Sequence, residues 1–126
     1  MKTQVNKIKA ELQQFIGSET FYKIPIIGTK FTDGIKYLAD AAECFWLVTD
    51  ASVIAKSLMS KSYFITVDFK RLSEKERAEK QCEALINYSD GNGIIYETHR
   101  YNVTDFPLDE LRLFFVDNTL MLPSEY

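Results

Sequence analysis

Tyr63-Phe64-Ile65-Thr66-Val67-Asp68-Phe69 is the stretch whose reading decides the fold. Tyr63, Ile65, Val67 and Phe69 fall on one side of an extended chain, and Phe64, Thr66 and Asp68 on the other. Aromatic rings on both sides predict a strand inside a sheet rather than at its rim. Ser62 is also where the period changes. Before it, apolar residues recur at steps of three and four; after it, they alternate.

Downstream, the next stretch carries two patterns. Ser73-Glu74-Lys75-Glu76 matches a capping box, and Ser73 to Ala84 holds strong helix formers. Against that, Cys82, Ala84, Ile86 and Tyr88 alternate with polar residues. The pattern reads as a turn or short helical piece near Ser73–Glu79, then a strand from about Gln81 to Tyr88. Asp90-Gly91-Asn92-Gly93 is a hairpin turn signal, and Ile94 to Val103 is the returning strand. On it, Ile95, Glu97, His99 and Tyr101 share one face, and Ile94, Tyr96, Thr98 and Arg100 the other. Leu108 to Val116 and Thr119 to Leu122 are two more strand-like runs, joined through Asp117-Asn118 and bounded by Pro107 and Pro123.

Upstream, Thr3 to Ile16 reads as an amphipathic helix with Val5, Ile8, Leu12 and Phe15 on one face and Gly17 as its stop. Phe21 to Ile27 is rich in aromatic and β-branched residues, but Pro25 lacks an amide hydrogen, so a strand there is an edge strand or irregular. A turn through Gly28-Thr29-Lys30 leads to Thr32 or Asp33, either of which can cap a helix bearing Ile35, Leu38, Ala39 and Ala42. Cys44 to Val48 is apolar all round and expected to be central. Thr49 or Asp50 then caps a third helix with Ala51, Ile54, Ala55 and Leu58 on its buried stripe. The expected fold is α+β: N-terminal helices packed on one face of a mainly antiparallel sheet formed by the C-terminal half, with residues 1–126 as a single domain.

Composition narrows the class. The chain has 126 residues, 46% of them hydrophobic and 26% charged, which excludes wholesale disorder. A net charge of −3 argues against a dedicated nucleic-acid binder. One His and two Cys leave almost nothing for a His/Cys metal site, so neither a metal nor a cofactor is expected. The polar start Met1 to Lys7 has no apolar run behind it, and Cys44 to Asp50 is far short of a membrane span. Cys44 and Cys82 stand apart, in neither a CxxC nor a zinc pattern, and read as buried reduced thiols of a cytoplasmic protein.

Taken as a set, five motifs carry a resemblance: Phe31-Thr32-Asp33-Gly34-Ile35-Lys36-Tyr37-Leu38-Ala39, Trp46-Leu47, Asp90-Gly91-Asn92-Gly93, Thr104-Asp105-Phe106-Pro107-Leu108 and Leu120-Met121-Leu122-Pro123-Ser124-Glu125-Tyr126. From about Leu12 to the last residue the chain resembles a family of small bacterial and phage proteins of unknown function. It departs from that pattern in a longer Ser73–Lys80 stretch and in Cys44. The resemblance implies a stand-alone domain, often in mobile-element settings, and supplies neither an activity nor catalytic residues. An inhibitor of a host defence protein would suit it.

For chemistry, the loop Thr29 to Gly34 is the first candidate. A helix N-terminus offers free amides, so an anion can sit at Thr32, Asp33 and Gly34 with Lys30 or Lys36 beside it, or Asp33 can cap those amides itself. Trp46, Asp50 and Tyr37 can line a pocket between helices, or Trp46 can be a core anchor. Glu97 and His99 can form an acid–base pair or a solvated ladder. Asp105, Asp109 and Glu110 around Phe106-Pro107 read as caps and a turn. No nucleophile–base, metal-ligand or phosphate-loop constellation emerges. The favoured function is therefore a non-enzymatic binding protein acting through protein–protein contact. The alternatives are a small-molecule or nucleotide binder at Thr32–Gly34 and, third, a hydrolase using Asp33, Asp50 or His99. Leu111 to Val116 is apolar on both faces, which predicts a homodimer burying Phe114 or the Val5–Ile8–Leu12 stripe.

Overall fold

The computed structural model describes residues 2–17, 20–102 and 104–126. Helix α1 (Lys2–Leu12) leads to two short strands, β1 (Phe21–Lys23) and β2 (Lys30–Thr32), and two helices, α2 (Asp33–Ala41) and α3 (Phe45–Ser57). Strand β3 (Phe64–Arg71), helix α4 (Glu74–Lys80) and strands β4 (Ala84–Ser89), β5 (Ile95–Tyr101), β6 (Glu110–Val116) and β7 (Thr119–Met121) follow, then a 3₁₀ turn at Pro123–Glu125. The sheet order is β1-β2-β7-β6-β3-β4-β5. The fold is α+β, as expected. Every strand pair is antiparallel except β2 with β7.

One face of the sheet is helix-covered. Ile65, Val67 and Phe69 of β3, Ile86 and Tyr88 of β4, and Leu113 and Phe115 of β6 meet Ile35 and Leu38 of α2 and Leu47, Val48, Ala51 and Ala55 of α3 in one buried cluster. Burying each large aliphatic or aromatic side chain there stabilises by about 1.5–3 kcal/mol. Ile8 of α1 joins that core, with Val5 and Leu12 half-buried against it.

The interior strand at Phe64–Arg71 lies where the alternation puts it, between β6 and β4. The Ser73 capping box forms, closing α4 at its start. Asp90 Oδ1 accepts from the amides of Asn92 (2.7 Å) and Ile94 (3.1 Å), which closes the β4–β5 hairpin. Asp117 and Asn118 both take left-handed backbone, φ 52° and 59°, as a two-residue hairpin turn requires.

Several boundaries differ from the sequence reading. Helix α1 ends at Leu12, ahead of Ile16 and Gly17. Phe21–Ile27 forms a strand only to Lys23, and Lys30, read as part of a turn, opens a strand that ends on Thr32, the residue that caps α2. The sheet thus draws two short strands from the N-terminal half. Cys44 precedes α3 as its N-cap and Phe45 to Val48 open the helix, so it begins ahead of Thr49 and Asp50, and Phe45, expected to be central, is half-exposed. A short run apolar on all sides fits a buried helical turn as well as a buried strand, and only its packing separates the two. β4 starts at Ala84 rather than Gln81, because Gln81 ends α4 in left-handed backbone. A bulge at Tyr88/Ser89 pairs Ile95 with Ser89, so Ile95 leaves the face that holds Glu97, His99 and Tyr101. Val103, read as the end of that strand, lies outside the described residues.

Candidate functional site

The N-terminus of α2 is filled from within the chain. Thr32 Oγ1 caps the helix by accepting from the Ile35 amide and donates to Glu125 Oε1 at 2.6 Å. The Gly34 amide donates to Glu125 Oε2 (3.1 Å), and the Leu122 amide to Glu125 Oε1 (3.0 Å). A carboxylate is the charge that a helix N-terminus favours. The 3₁₀ turn Pro123–Glu125 aims it there. Gly34 makes room for it: a Cβ at this position would stand 2.5 Å from Glu125 Oε1 and from Leu122 Cδ1. The first and last motifs of the chain therefore form one clasp. Of the neighbouring candidates, Lys36 pairs with Asp40 at 2.6 Å, Lys30 is exposed on β2, and Asp33 is the first residue of α2. The reading of the loop overlooked Glu125. Its one signal was a carboxylate in the C-terminal motif, 91 positions from Gly34.

A second locus lies around Thr104–Asp109. Phe106 is fully buried and packs edge-on against Phe69, ring centroids 4.7 Å apart. Arg71 ties the segment to β3 by donating to the Phe106 carbonyl and pairing with Asp109 (3.4 Å) and Glu83 (3.4 Å). Two hollows meet at Thr104 and Asp105. The larger, about 630 Å³, runs between this segment and α1 and is lined by Val5, Lys9 and Arg71 among others. The smaller, about 340 Å³, is bounded by Trp46, Tyr101, Thr104 and Asp105.

The rings of Trp46 and Tyr101 lie 5.5 Å apart with their planes at 55°. The Tyr101 hydroxyl donates to Asp50 Oδ2 at 3.1 Å. Burial, reinforced by the Asp50 charge, holds the Tyr101 phenol above its ordinary pKa. Beside them Cys44 is buried with its thiol directed at the Leu38 carbonyl, 3.6 Å away. Burial, with a further push from Asp105, raises that thiol to about 12, which leaves it protonated and unreactive at neutral pH. Trp46 and Asp50 thus come together, but around Tyr101. Tyr37 sits elsewhere, against Phe15 at 5.6 Å, with a hydrogen bond to Glu11 holding its phenol up.

The face of the sheet away from α1, α2 and α3 holds a third group. Arg112 grips Asp68 with two nitrogens, at 2.7 and 3.3 Å, in the middle of that face. At one end Phe64, Phe114 and Tyr126 form an aromatic cluster with centroids 4.8, 5.1 and 5.8 Å apart. Next to it is a hollow of about 520 Å³ lined by Tyr63, Asp90 and Arg112 as well. Tyr63 and Tyr126 are 79% and 69% exposed, so this end is both aromatic and open.

On the helix side His99 Nε2 lies 2.8 Å from Glu97 Oε2, with both side chains about 40% exposed. The ring of Tyr88 stands edge-on to His99, and its buried hydroxyl has no hydrogen-bond partner among the described residues. No three His, Cys, Asp or Glu among the described residues are grouped so that they could hold a metal.

A family model described as a family of unknown function, DUF6876, matches residues 6–126. No curated protein and no solved structure matches the chain. Among the described residues no helix is long and apolar enough to cross a membrane.

Proposed function

We infer that this chain, which belongs to DUF6876, a family of unknown function, is a non-enzymatic binding protein that acts through protein–protein contact. The observation that carries the reading is the aromatic end of the sheet face away from α1, α2 and α3. Phe64, Phe114 and Tyr126 pack on one another there, with Tyr63 exposed beside them. Aromatic side chains clustered next to a polar rim are the composition of protein interfaces. Here the rim is supplied by Asp68, Asp90 and Arg112. A second copy of the chain is one partner for this face. The Val5–Ile8–Leu12 stripe already packs on the chain's own core, which leaves Phe114 to carry the homodimer. Buried, unpaired Cys44 and Cys82 suit a reducing cytoplasm.

A tagged pull-down from the native host, with mass spectrometry, tests the reading. Wild type is expected to capture a reproducible partner that Phe114→Asp and Tyr126→Asp both lose. An identical captured set for all three, or co-purifying nucleotide in place of protein, would overturn it. For the homodimer, sedimentation at micromolar concentration is expected to give twice the 14.6 kDa chain mass, and 14.6 kDa for Phe114→Asp.

A further inference from the structure

We propose that the corner formed by Trp46, Tyr101 and Asp105 is a binding site for an organic ammonium ion. The site is on the helix side of the sheet and shares no residue with the Phe114 surface. Its walls are two aromatic rings at 55°, 5.5 Å apart, opening on a hollow of about 340 Å³. That volume is at the small end of ligand pockets, right for a head group and its methylene stem. Aromatic faces carry negative quadrupole potential and attract cations. Asp105 lines the same hollow, and the exposed Asp50 accepts the Tyr101 hydroxyl.

No cation among the described residues answers the two exposed carboxylates of this corner. Among the described residues neither Asp50 nor Asp105 has a Lys or Arg nitrogen within ion-pair distance. Arg71, the cation of the adjoining hollow, is taken up by Glu83, Asp109 and the Phe106 carbonyl. Rings and carboxylates together repel an anion and offer a neutral group apolar contact alone. They favour a soft, weakly hydrated cation, whose desolvation costs little and whose methyl groups cover the rings.

Trp46 is the only tryptophan in the chain, so its fluorescence reports on this corner alone. The probe is tetramethylammonium chloride, with tert-butanol as the neutral isostere and sodium chloride for ionic strength. A saturable change with tetramethylammonium is expected, half-complete in the millimolar range for so small a ligand, with none from the controls. Asp105→Asn is expected to weaken it about tenfold and Tyr101→Leu to abolish it. Glu79→Gln, the same charge change on α4, is expected to preserve it. An N-acetylated, C-amidated trimethyllysine peptide binding more tightly than tetramethylammonium would assign the cation to a protein side chain. Equal or weaker binding would assign it to a free amine.

A linear response shared with tert-butanol, or unchanged binding in Asp105→Asn, would overturn the proposal. Should the variants not fold, amide shifts of the wild-type chain decide. Changes centred on residues 46, 101, 104 and 105 support the site, and changes elsewhere overturn it. Either result leaves the pull-down test of Phe114 standing on its own.

Discussion

The N-terminus of α2 and the corner at Trp46, Tyr101 and Asp105 both offer chemistry for a charged ligand, yet the chain treats them in opposite ways. At α2 the donors converge on Glu125, which takes hydrogen bonds from Thr32, Gly34 and Leu122. At the corner the aromatic walls and the Asp105 carboxylate are left facing a hollow. The first is a helix N-terminus closed by the chain's own carboxylate. The second has no such tenant among the described residues. A motif with ligand-binding chemistry is therefore informative only once its internal competitors are known, and those can stand at the far end of the chain.

The largest expected effect removes the support of the open site. Phe106→Ala deletes a fully buried ring packed on Phe69 and should cost about 3–5 kcal/mol in urea denaturation. A loss below about 1 kcal/mol would mean that the Thr104–Asp109 segment is not anchored through this ring.

Next is the clasp itself. Glu125→Ala leaves the buried Thr32 hydroxyl and the Gly34 amide without their acceptor and should cost about 2 kcal/mol. It should also reopen the helix terminus to anions, so sulfate should restore more stability to this variant than it adds to wild type. Equal sulfate responses would show that the carboxylate is not standing in for a ligand.

The smallest effect tests the coupling of the corner to the core through Cys44. Its folded pKa is raised to about 12 from an ordinary 9.0. The unfolded thiol thus loses its proton first as pH rises, and between those values the unfolded state binds fewer protons than the folded one. Stability from this group is fully present below pH 9.0 and falls through the window up to about 12, by at most about 1.4 kcal/mol per pH unit. Cys44→Ala should flatten the decline measured between about pH 9 and 10, before the raised phenols of Tyr88 and Tyr101 contribute. An unchanged slope would remove Cys44 as its source.

What the sequence determined by itself was local. The switch from helical to alternating period at Ser62, the capping box at Ser73 and the turns at Asp90–Gly93 and Asp117-Asn118 all stand where their residues place them. Each rests on interactions within a few positions, which periodicity and turn chemistry express directly. Tertiary structure decided what depends on distant partners. The pairing of β2 with β7 made Lys30–Thr32 a strand, and packing of Leu47 and Val48 on the core made Phe45–Val48 the start of a helix. Trp46 and Asp50 were legible as site candidates, but Tyr101 as the group that joins them and Asp105 as their neighbour were not. Glu125 was missed for the same reason. A side chain's hydrogen-bond partner 91 positions away leaves no period in the sequence, because it is fixed by how the sheet and helices close on one another.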